Sequence, residues 1–199
     1  MKMKIAYLIP VFCLAILSLS ARADTLTLVS TPGGGSVGPY TLTLNPGATS
    51  LSLFCLNDNL TISVGETWGV EIVNGSNLSS VFSGATLTAY EEEAYIYNNK
   101  GSDSNTEIQD ALWDILNPGS QTLDPTATTL YMNAKAAYGS TNLHDVDFYI
   151  YDAADGAVPN GDGAPQNFVG SAPEPSSLIL LGSGLVGLAG VARRKLARG

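Results

Sequence analysis

Hydrophobic and polar positions divide the chain into five parts. Residues 5–19 and 176–192 are almost unbroken apolar runs near the two ends. Over residues 24–87, apolar residues mostly alternate with polar ones, as in half-buried strands. Over residues 88–138 they recur at three- and four-residue spacing, which indicates amphipathic helices. Residues 146–151 again indicate a strand, so the order of strands, helices and strands predicts an α+β fold.

Local signals locate the elements within this α+β domain. About three short helices are expected in the middle. The start of each is marked by a pair of residues: Thr88 with Glu91 for a helix over residues 89–98, Ser104 with Glu107 for residues 105–116, and Asp124 with Pro125 for residues 125–138. Expected strands include the alternating Leu26, Leu28, Leu42 and Leu44, and residues 50–56, 60–64, 67–73, 146–151 and 166–170. Residues 152–165 are polar and glycine-rich, which predicts a loop.

The N-terminal apolar run has the pattern of a secretory signal peptide. Lys2 and Lys4 precede it, and a small-x-small site ends at Ala23. We therefore expect residues 1–23 to be a signal peptide that is cleaved between Ala23 and Asp24. The alternative, an uncleaved transmembrane anchor, is disfavoured because the run is short and a cleavage site follows it.

The C-terminal part combines three signals in order. Pro173, Glu174 and Pro175 precede the second apolar run, and a basic cluster follows it, formed by Arg193, Arg194 and Lys195. The run is about long enough for a transmembrane helix at 1.5 Å per residue, and the basic cluster predicts a cytoplasmic C-terminus. The alternative is a plain tail anchor with an incidental Pro-Glu-Pro.

This arrangement resembles the PEP-CTERM sorting signal of Gram-negative bacteria. The resemblance implies that residues 173–199 are a sorting tail, processed by an exosortase-type membrane protease near Pro173, Glu174 and Pro175. It also implies a transient inner-membrane anchor, followed by release to the cell surface or the extracellular matrix. A single extracytoplasmic domain, residues 24–172, is then left as the working part of the protein.

The charge of this domain excludes one class of partner. Seventeen of the eighteen acidic residues and only two basic ones, Lys100 and Lys135, lie within residues 24–172, which gives a net charge near −15. Such a charge repels nucleic acid and anionic surfaces. We therefore expect no nucleic-acid partner.

Cys55 is the one cysteine that remains after signal cleavage, since Cys13 leaves with the signal peptide. An unpaired cysteine in an exported domain is unusual. Three explanations stay open: Cys55 is buried and inert, it pairs with another chain, or it is bonded to something other than sulfur. Its acidic surroundings should raise the pKa of the thiol.

Two short motifs point to the third explanation. Phe54-Cys55-Leu56 is an aromatic-Cys-hydrophobic element, and residues 108–113 read hydrophobic-Gln-x-x-hydrophobic-Trp. Gln109 and Trp113 are four residues apart, so they share a helix face. Together the two elements resemble the thioester domains of bacterial surface adhesins.

The resemblance implies a Cys–Gln thioester that serves covalent attachment. The sulfur of Cys55 would attack the side-chain amide of Gln109 and expel ammonia, and Phe54 and Trp113 would shield the bond from water. An amine or hydroxyl of a surface protein or polysaccharide would then attack the carbonyl carbon. On this hypothesis the protein is an adhesin-like envelope or matrix protein, not an enzyme, and needs neither cofactor nor metal.

The alternative function is that of a non-covalent structural or exopolysaccharide-matrix protein with an inert, buried Cys55. Three further candidates are weaker still. His144 lacks partners for a zinc or catalytic site. Calcium ligands could come from an acidic loop containing Asp152, Asp155, Asn160 and Asp162, although the spacing is not that of an EF-hand. Glu91, Glu92 and Glu93 are interpreted as a charged first helical turn that complements the helix dipole, not as catalytic carboxylates.

Overall fold

A computed structural model of the chain describes residues 24–32, 37–45, 49–140, 143–155 and 164–171. Within these residues, six antiparallel strands close into a barrel in the order β1-β2-β3-β6-β5-β4. The strands are β1 Asp24–Ser30, β2 Tyr40–Leu44, β3 Thr49–Cys55, β4 Thr67–Asn74, β5 Val146–Tyr151 and β6 Phe168–Ser171. The predicted α+β class is confirmed.

Four helices lie between β4 and β5 in the described part of the chain. They are α1 Leu78–Val81, α2 Gly84–Asn99, α3 Asn105–Leu116 and α4 Pro125–Ala137. Short 3-10 turns lie at Gly75–Asn77 and Tyr138–Ser140, and a third follows β5 at Ala153–Asp155. The helices α2, α3 and α4 contact one another, and α2 also contacts β5 and β6. They therefore form a layer on one side of the barrel.

The barrel closes through two pairings that join distant parts of the chain. β1 pairs with β4 from Asp24↔Val70 to Thr27↔Thr67. β6 lies between β3 and β5, and its Phe168 faces Cys55 on one side and Tyr149 on the other. β6, the last strand among the described residues, thus connects the end of β3 to the rest of the sheet.

The alternation of the strands separates two hydrophobic cores. One fills the barrel and includes Leu26, Leu28, Leu42, Leu53, Trp68 and Phe168. The other lies between the sheet and the helices and includes Phe54, Tyr90, Tyr97, Ile108, Leu112 and Phe148. Because successive side chains of a strand point to opposite faces, neighbouring residues Phe54 and Cys55 belong to different cores.

Sequence signals account for two of the helices. The Ser104 hydroxyl accepts the Glu107 backbone N–H and the Glu107 carboxylate accepts the Ser104 N–H, so the predicted capping box of α3 is present. The Asp124 carboxylate accepts the Ala127 backbone N–H at 2.8 Å and caps α4, which begins with Pro125.

Other local predictions are wrong. α2 begins at Gly84 after the N-cap residue Ser83, so Thr88 is inside the helix and does not cap it. Glu91, Glu92 and Glu93 consequently lie in the middle of α2, away from the dipole charge at its start. The short α1 was not predicted.

Residues 60–64 were expected to form a strand but form none. There the Glu66 carboxylate accepts the Ser63 backbone N–H at 2.8 Å, which is a turn contact and not a strand pairing. The expected signal peptide and the expected transmembrane span lie outside the described residues. Within those residues, no helix is long and apolar enough to cross a membrane.

We expect Ser104→Ala to lower the free energy of unfolding by about 1 kcal/mol, because the side-chain half of the capping box is lost. Chemical unfolding of the full chain in detergent, followed by tryptophan fluorescence, measures this. Both tryptophans of the chain, Trp68 and Trp113, lie in the folded domain. Ser102→Ala, in the exposed turn before α3, is the control and should leave stability unchanged. Equal effects of the two substitutions would contradict the assignment.

Candidate functional site

β3 places Cys55 at the boundary between the barrel and the helices. Cys55 is the last residue of β3, and pairing with Phe168 of β6 fixes its register. Its side chain is fully buried and is a free thiol. The sulfur donates a hydrogen bond to the backbone carbonyl of Asn57 at 3.3 Å. The thiol is therefore enclosed by protein and held in one direction.

α3 delivers Gln109 to the same place. The capping box sets the register of the helix, and an apolar stripe formed by Ile108, Ala111, Leu112 and Ile115 packs it onto the domain. Gln109 is also fully buried, and its Nε2 donates to the backbone carbonyl of Cys55 at 2.5 Å. The structure thus brings the Gln109 amide and Cys55 together across 54 positions of sequence.

Gly38, just before β2, completes the environment of the amide. Its backbone N–H donates to the Gln109 Oε1 at 3.2 Å, in a buried position. A Cβ atom on Gly38 would lie 2.7 Å from that oxygen and 2.9 Å from Phe54 Cδ1. Only glycine permits this approach of the backbone. The Gln109 carbonyl therefore has an N–H donor aimed at its oxygen, and the amide is fixed at both ends.

Burial controls the protonation of Cys55. Loss of hydration raises the pKa of the thiol to about 12. The Trp113 indole N–H and a backbone hydrogen bond from Asn57 oppose this shift, and the charges of Glu93 and Asp58 add to it. The acidic surroundings thus act in the expected direction, but burial is the larger cause. Cys55 is a neutral thiol at neutral pH.

Trp113 and Phe54 lie on different sides of Cys55. Trp113 packs against the barrel core, and its indole N–H affects the Cys55 sulfur without reaching normal hydrogen-bond geometry. Phe54 is 4 % exposed and makes an edge contact with Tyr97, with ring centroids 6.3 Å apart. Both aromatic side chains help to enclose the pair.

A cavity of about 180 Å³ lies beside Trp113. Its lining includes Tyr40, Asp58, Thr61 and Gln166. Asp58 accepts hydrogen bonds from Asn117 and Gln121 on the segment after α3, which holds its carboxylate in place. The cavity opens to solvent beside Trp113.

Sequence reasoning missed Glu93. Its side chain is fully buried on α2, and neither carboxylate oxygen has a hydrogen-bond partner among the described residues. Burial raises the pKa of this carboxyl well above its usual value, and the charge of Glu92 raises it further. Glu92 itself forms a 2.7 Å ion pair with Lys135. The only sequence signal is the run of three glutamates, for which a charged first helical turn is the expectation.

The other candidates lie apart from this site or outside the described residues. The backbone carbonyl of His144, just before β5, accepts a hydrogen bond from the Asn74 side chain, away from Cys55. Asp152 caps its own turn by accepting the Ala154 N–H, whereas Asn160 and Asp162 are not described. Within the described ranges no group of three or more His, Cys, Asp or Glu side chains could hold a metal ion.

The sorting residues Pro173, Glu174, Pro175, Arg193, Arg194 and Lys195 lie outside the described residues, as does Ala23. Asp24 begins β1. Residues 171–195 match the family model of the PEP-CTERM protein-sorting motif. The chain carries a PEP-CTERM sorting motif. The motif indicates an exported protein with a C-terminal membrane anchor that an exosortase processes.

No curated protein matches the chain. Among solved structures, the N-terminal thioester domain of a surface protein from Clostridium perfringens aligns at 12 % identity and a TM-score of 0.43, over 74 % of this chain and 97 % of that one. The N-terminal thioester domain of fibronectin-binding protein SfbI from Streptococcus pyogenes aligns at 12 % and 0.41, over 78 % and 97 %.

We expect Gly38→Ala to lower the free energy of unfolding by about 1–3 kcal/mol, because the new methyl group overpacks the contact with Gln109 and Phe54. Gly139→Ala is the control, since a Cβ there would meet nothing within 4 Å. Chemical unfolding followed by tryptophan fluorescence measures both. If Gly38→Ala is as stable as the wild type, the close approach does not exist.

Glu93 should make stability fall as pH rises. Its folded-state pKa is raised, so its contribution to stability is present below about pH 4.3, the unfolded value, and is lost as pH rises through the folded value. The difference in unfolding free energy between the wild type and Glu93→Gln should therefore decline, by at most about 1.4 kcal/mol per pH unit. Unfolding curves at several pH values measure it.

Glu91→Gln, at a half-buried position of the same helix, is the control for that series. Its difference from the wild type should stay nearly constant over the same pH interval. A constant difference for Glu93→Gln as well would mean that the Glu93 carboxyl is not desolvated.

Proposed function

We propose that this exported, sorted protein forms an internal thioester between the Cys55 sulfur and the Gln109 side-chain carbonyl carbon, and uses it for covalent attachment at the cell surface. The observation that carries the proposal is the buried Gln109 amide, fixed between the Gly38 N–H and the Cys55 carbonyl beside a free thiol. A buried glutamine needs its amide hydrogen bonds satisfied, but structural need alone does not require a thiol next to it.

Two physical effects support bond formation at this place. Fixing the reacting groups before the reaction can contribute about 7–11 kcal/mol when they are held in a near-attack geometry. The Gly38 N–H points at the oxygen that becomes negative when sulfur adds to the carbonyl. A single donor of this kind contributes about 2.7–4 kcal/mol to such reactions.

The enclosure of the site supports the persistence of the product. Cys55 and Gln109 are both fully buried, and Trp113 lies on the side of the 180 Å³ cavity. Water would hydrolyse an exposed thioester, so burial protects the bond until a partner is present. An amine or hydroxyl of a surface protein or polysaccharide would then attack the carbonyl carbon, release the Cys55 thiol and leave the partner bonded to Gln109.

The second candidate is a non-covalent structural or matrix protein with the same sorting route. One observation favours it: the pKa of the Cys55 thiol is about 12, because the group is buried. A thiol with that pKa is a poor nucleophile at neutral pH. On this reading Cys55 is a small core residue and Gln109 is a structural bridge between α3 and the barrel.

The tryptic map of the chain separates the two candidates. Within residues 24–171 trypsin can cut only after Lys100 and Lys135, so Cys55 and Gln109 fall in different peptides, 24–100 and 101–135. We expect methylamine treatment of the full chain to convert Gln109 to its N-methylamide, and to make Cys55 reactive toward iodoacetamide. Peptide mass spectrometry detects both changes.

Cys55→Ser and Gln109→Asn should abolish methylamine incorporation. The first variant lacks the thiol, and the shorter side chain of the second keeps the amide away from the sulfur. Gln121→Asn, a second glutamine in peptide 101–135, is the matched control and should label as the wild type does. A wild-type chain with an unlabelled Gln109 and a Cys55 thiol that alkylates once unfolded, before any methylamine, would establish the non-covalent candidate.

A further inference from the structure

Glu93 is a buried acid that the attachment chemistry described so far does not use. It is fully buried and both of its carboxylate oxygens are without hydrogen-bond partners in the described part of the chain. Burial of an unpaired carboxyl group is strongly unfavourable. A purely structural role would be served as well by glutamine or leucine, so the position calls for a chemical explanation.

The face of α2 that carries Glu93 is held over the strand pair at Cys55. Tyr90 and Tyr97 lie three residues before and four residues after Glu93, so the three side chains share one helix face. The Tyr97 ring contacts Phe54, the residue before Cys55. Glu93 is thus bracketed by contacts on both sides, one of them to the immediate neighbour of the thiol.

The contact on the other side leads to the partner strand. The Tyr90 hydroxyl accepts a hydrogen bond from Asn167 Nδ2 at 3.1 Å. Asn167 directly precedes Phe168, which pairs with Cys55. The two tyrosine contacts place the segment of α2 around Glu93 above the point where β3 and β6 meet, which is also where Gln109 enters.

The titratable groups that interact with Glu93 come from two elements. They are Tyr90 and Glu92 on α2 and Cys55 at the end of β3. Lys135 is engaged by Glu92 at 2.7 Å. The charge of Glu93 affects the ionisation of both Cys55 and Tyr90, so the carboxyl group and the thiol are close enough to interact.

We propose that Glu93 carries the proton that moves when the Cys55–Gln109 thioester forms, an inference that rests on the function proposed above. Glu93 as a carboxylate accepts the proton of the Cys55 thiol, and as an acid it returns that proton to the Gln109 amide nitrogen. Glu93 makes no direct hydrogen bond to the sulfur, so the proton passes through one water molecule, as is common for general acid–base groups.

The atoms of this step balance without any further reactant. The Sγ–Cδ bond forms and the Cδ–Nε2 bond breaks. The nitrogen leaves as ammonia, with its two amide hydrogens and the former thiol hydrogen. Glu93 ends as the carboxylate with which it began, and no oxidant or reductant is involved.

Such a proton carrier is needed at this site. The thiol is neutral at working pH, and an amide nitrogen leaves as ammonia only if it is protonated during the reaction. The one histidine of the chain, His144, lies just before the end of β5 that pairs with Ser171 of β6. Cys55 lies on the other side of β6 from Tyr149, which is further along β5. A carboxyl group whose proton affinity is raised by burial holds a proton more strongly than an exposed one, which suits a group that takes a proton from one atom and passes it to another.

The test follows thioester formation in refolding protein. Full-length wild type, Glu93→Gln, Glu93→Asp and Glu91→Gln are unfolded and then refolded into detergent at several pH values. At timed points, methylamine is added and the N-methylamide of Gln109 is quantified in tryptic peptide 101–135. Tryptophan fluorescence confirms at each pH that the variants have refolded.

We expect Glu93→Gln to refold fully yet form the thioester about 10²–10⁴-fold more slowly, the range of general acid–base contributions. The wild-type rate should rise with pH through the ionisation of the Glu93 carboxyl, and this rise should be missing in Glu93→Gln. Glu93→Asp should restore the pH dependence at a reduced rate, and Glu91→Gln should match the wild type. A structural role alone would not change the pH profile.

Two results would overturn the inference, and they differ from each other. If the wild type forms the thioester and Glu93→Gln does so at the same rate and with the same pH profile, Glu93 is not the proton carrier, although the thioester function stands. If the refolded wild type forms no thioester at any pH, the proposed function and the role of Glu93 fail together.

Discussion

The hydrogen bonds of one buried side-chain amide join the two halves of this domain. Gln109 reaches from α3 to the end of β3 through Nε2 and to the segment before β2 through Oε1, and both bonds are out of contact with water. In a buried environment an unsatisfied amide would cost about 1–3 kcal/mol per lost bond. The position of the helical layer on the barrel is therefore coupled to the geometry of the site, and Cys55, Gly38 and Gln109 cannot shift independently.

The same enclosure that fixes these groups makes their ionisation unfavourable. Loss of hydration raises the pKa of Cys55 and of Glu93, so both are biased toward their neutral forms. For a core residue this is a cost without benefit. For a reaction that moves one proton from sulfur to nitrogen it is useful, since neither group is locked in one state by a strong ion pair. Glu92, one residue away, differs in this respect, because Lys135 neutralises it.

Local patterns predicted what local physics determines. The capping box and apolar stripe of α3 specify that helix to the residue, and α4 begins where Asp124 and Pro125 indicate. α2 begins earlier than predicted. Its N-cap residue Ser83 makes no side-chain capping hydrogen bond, so no capping signal in the sequence marks the start of the helix. Two motifs suggested that Cys55 and Gln109 meet, and the structure brings them together. Gly38 and Glu93 could not be found this way, since their roles depend on contacts with strands and helices far away in sequence.

The position of β6 in the barrel has a consequence for timing. Cys55 gains its neighbour Phe168 only when the last described strand is in place, and that strand ends at Ser171, where the sorting motif begins. A chain that emerges from the exporter N-terminus first must hold an incomplete sheet, with β3 unpaired along one edge, until almost all of the domain has crossed the membrane. Enclosure of the thiol therefore requires the part of the domain that lies next to the sorting motif. Any chemistry at Cys55 that needs an enclosed site must wait until β6 has paired with β3.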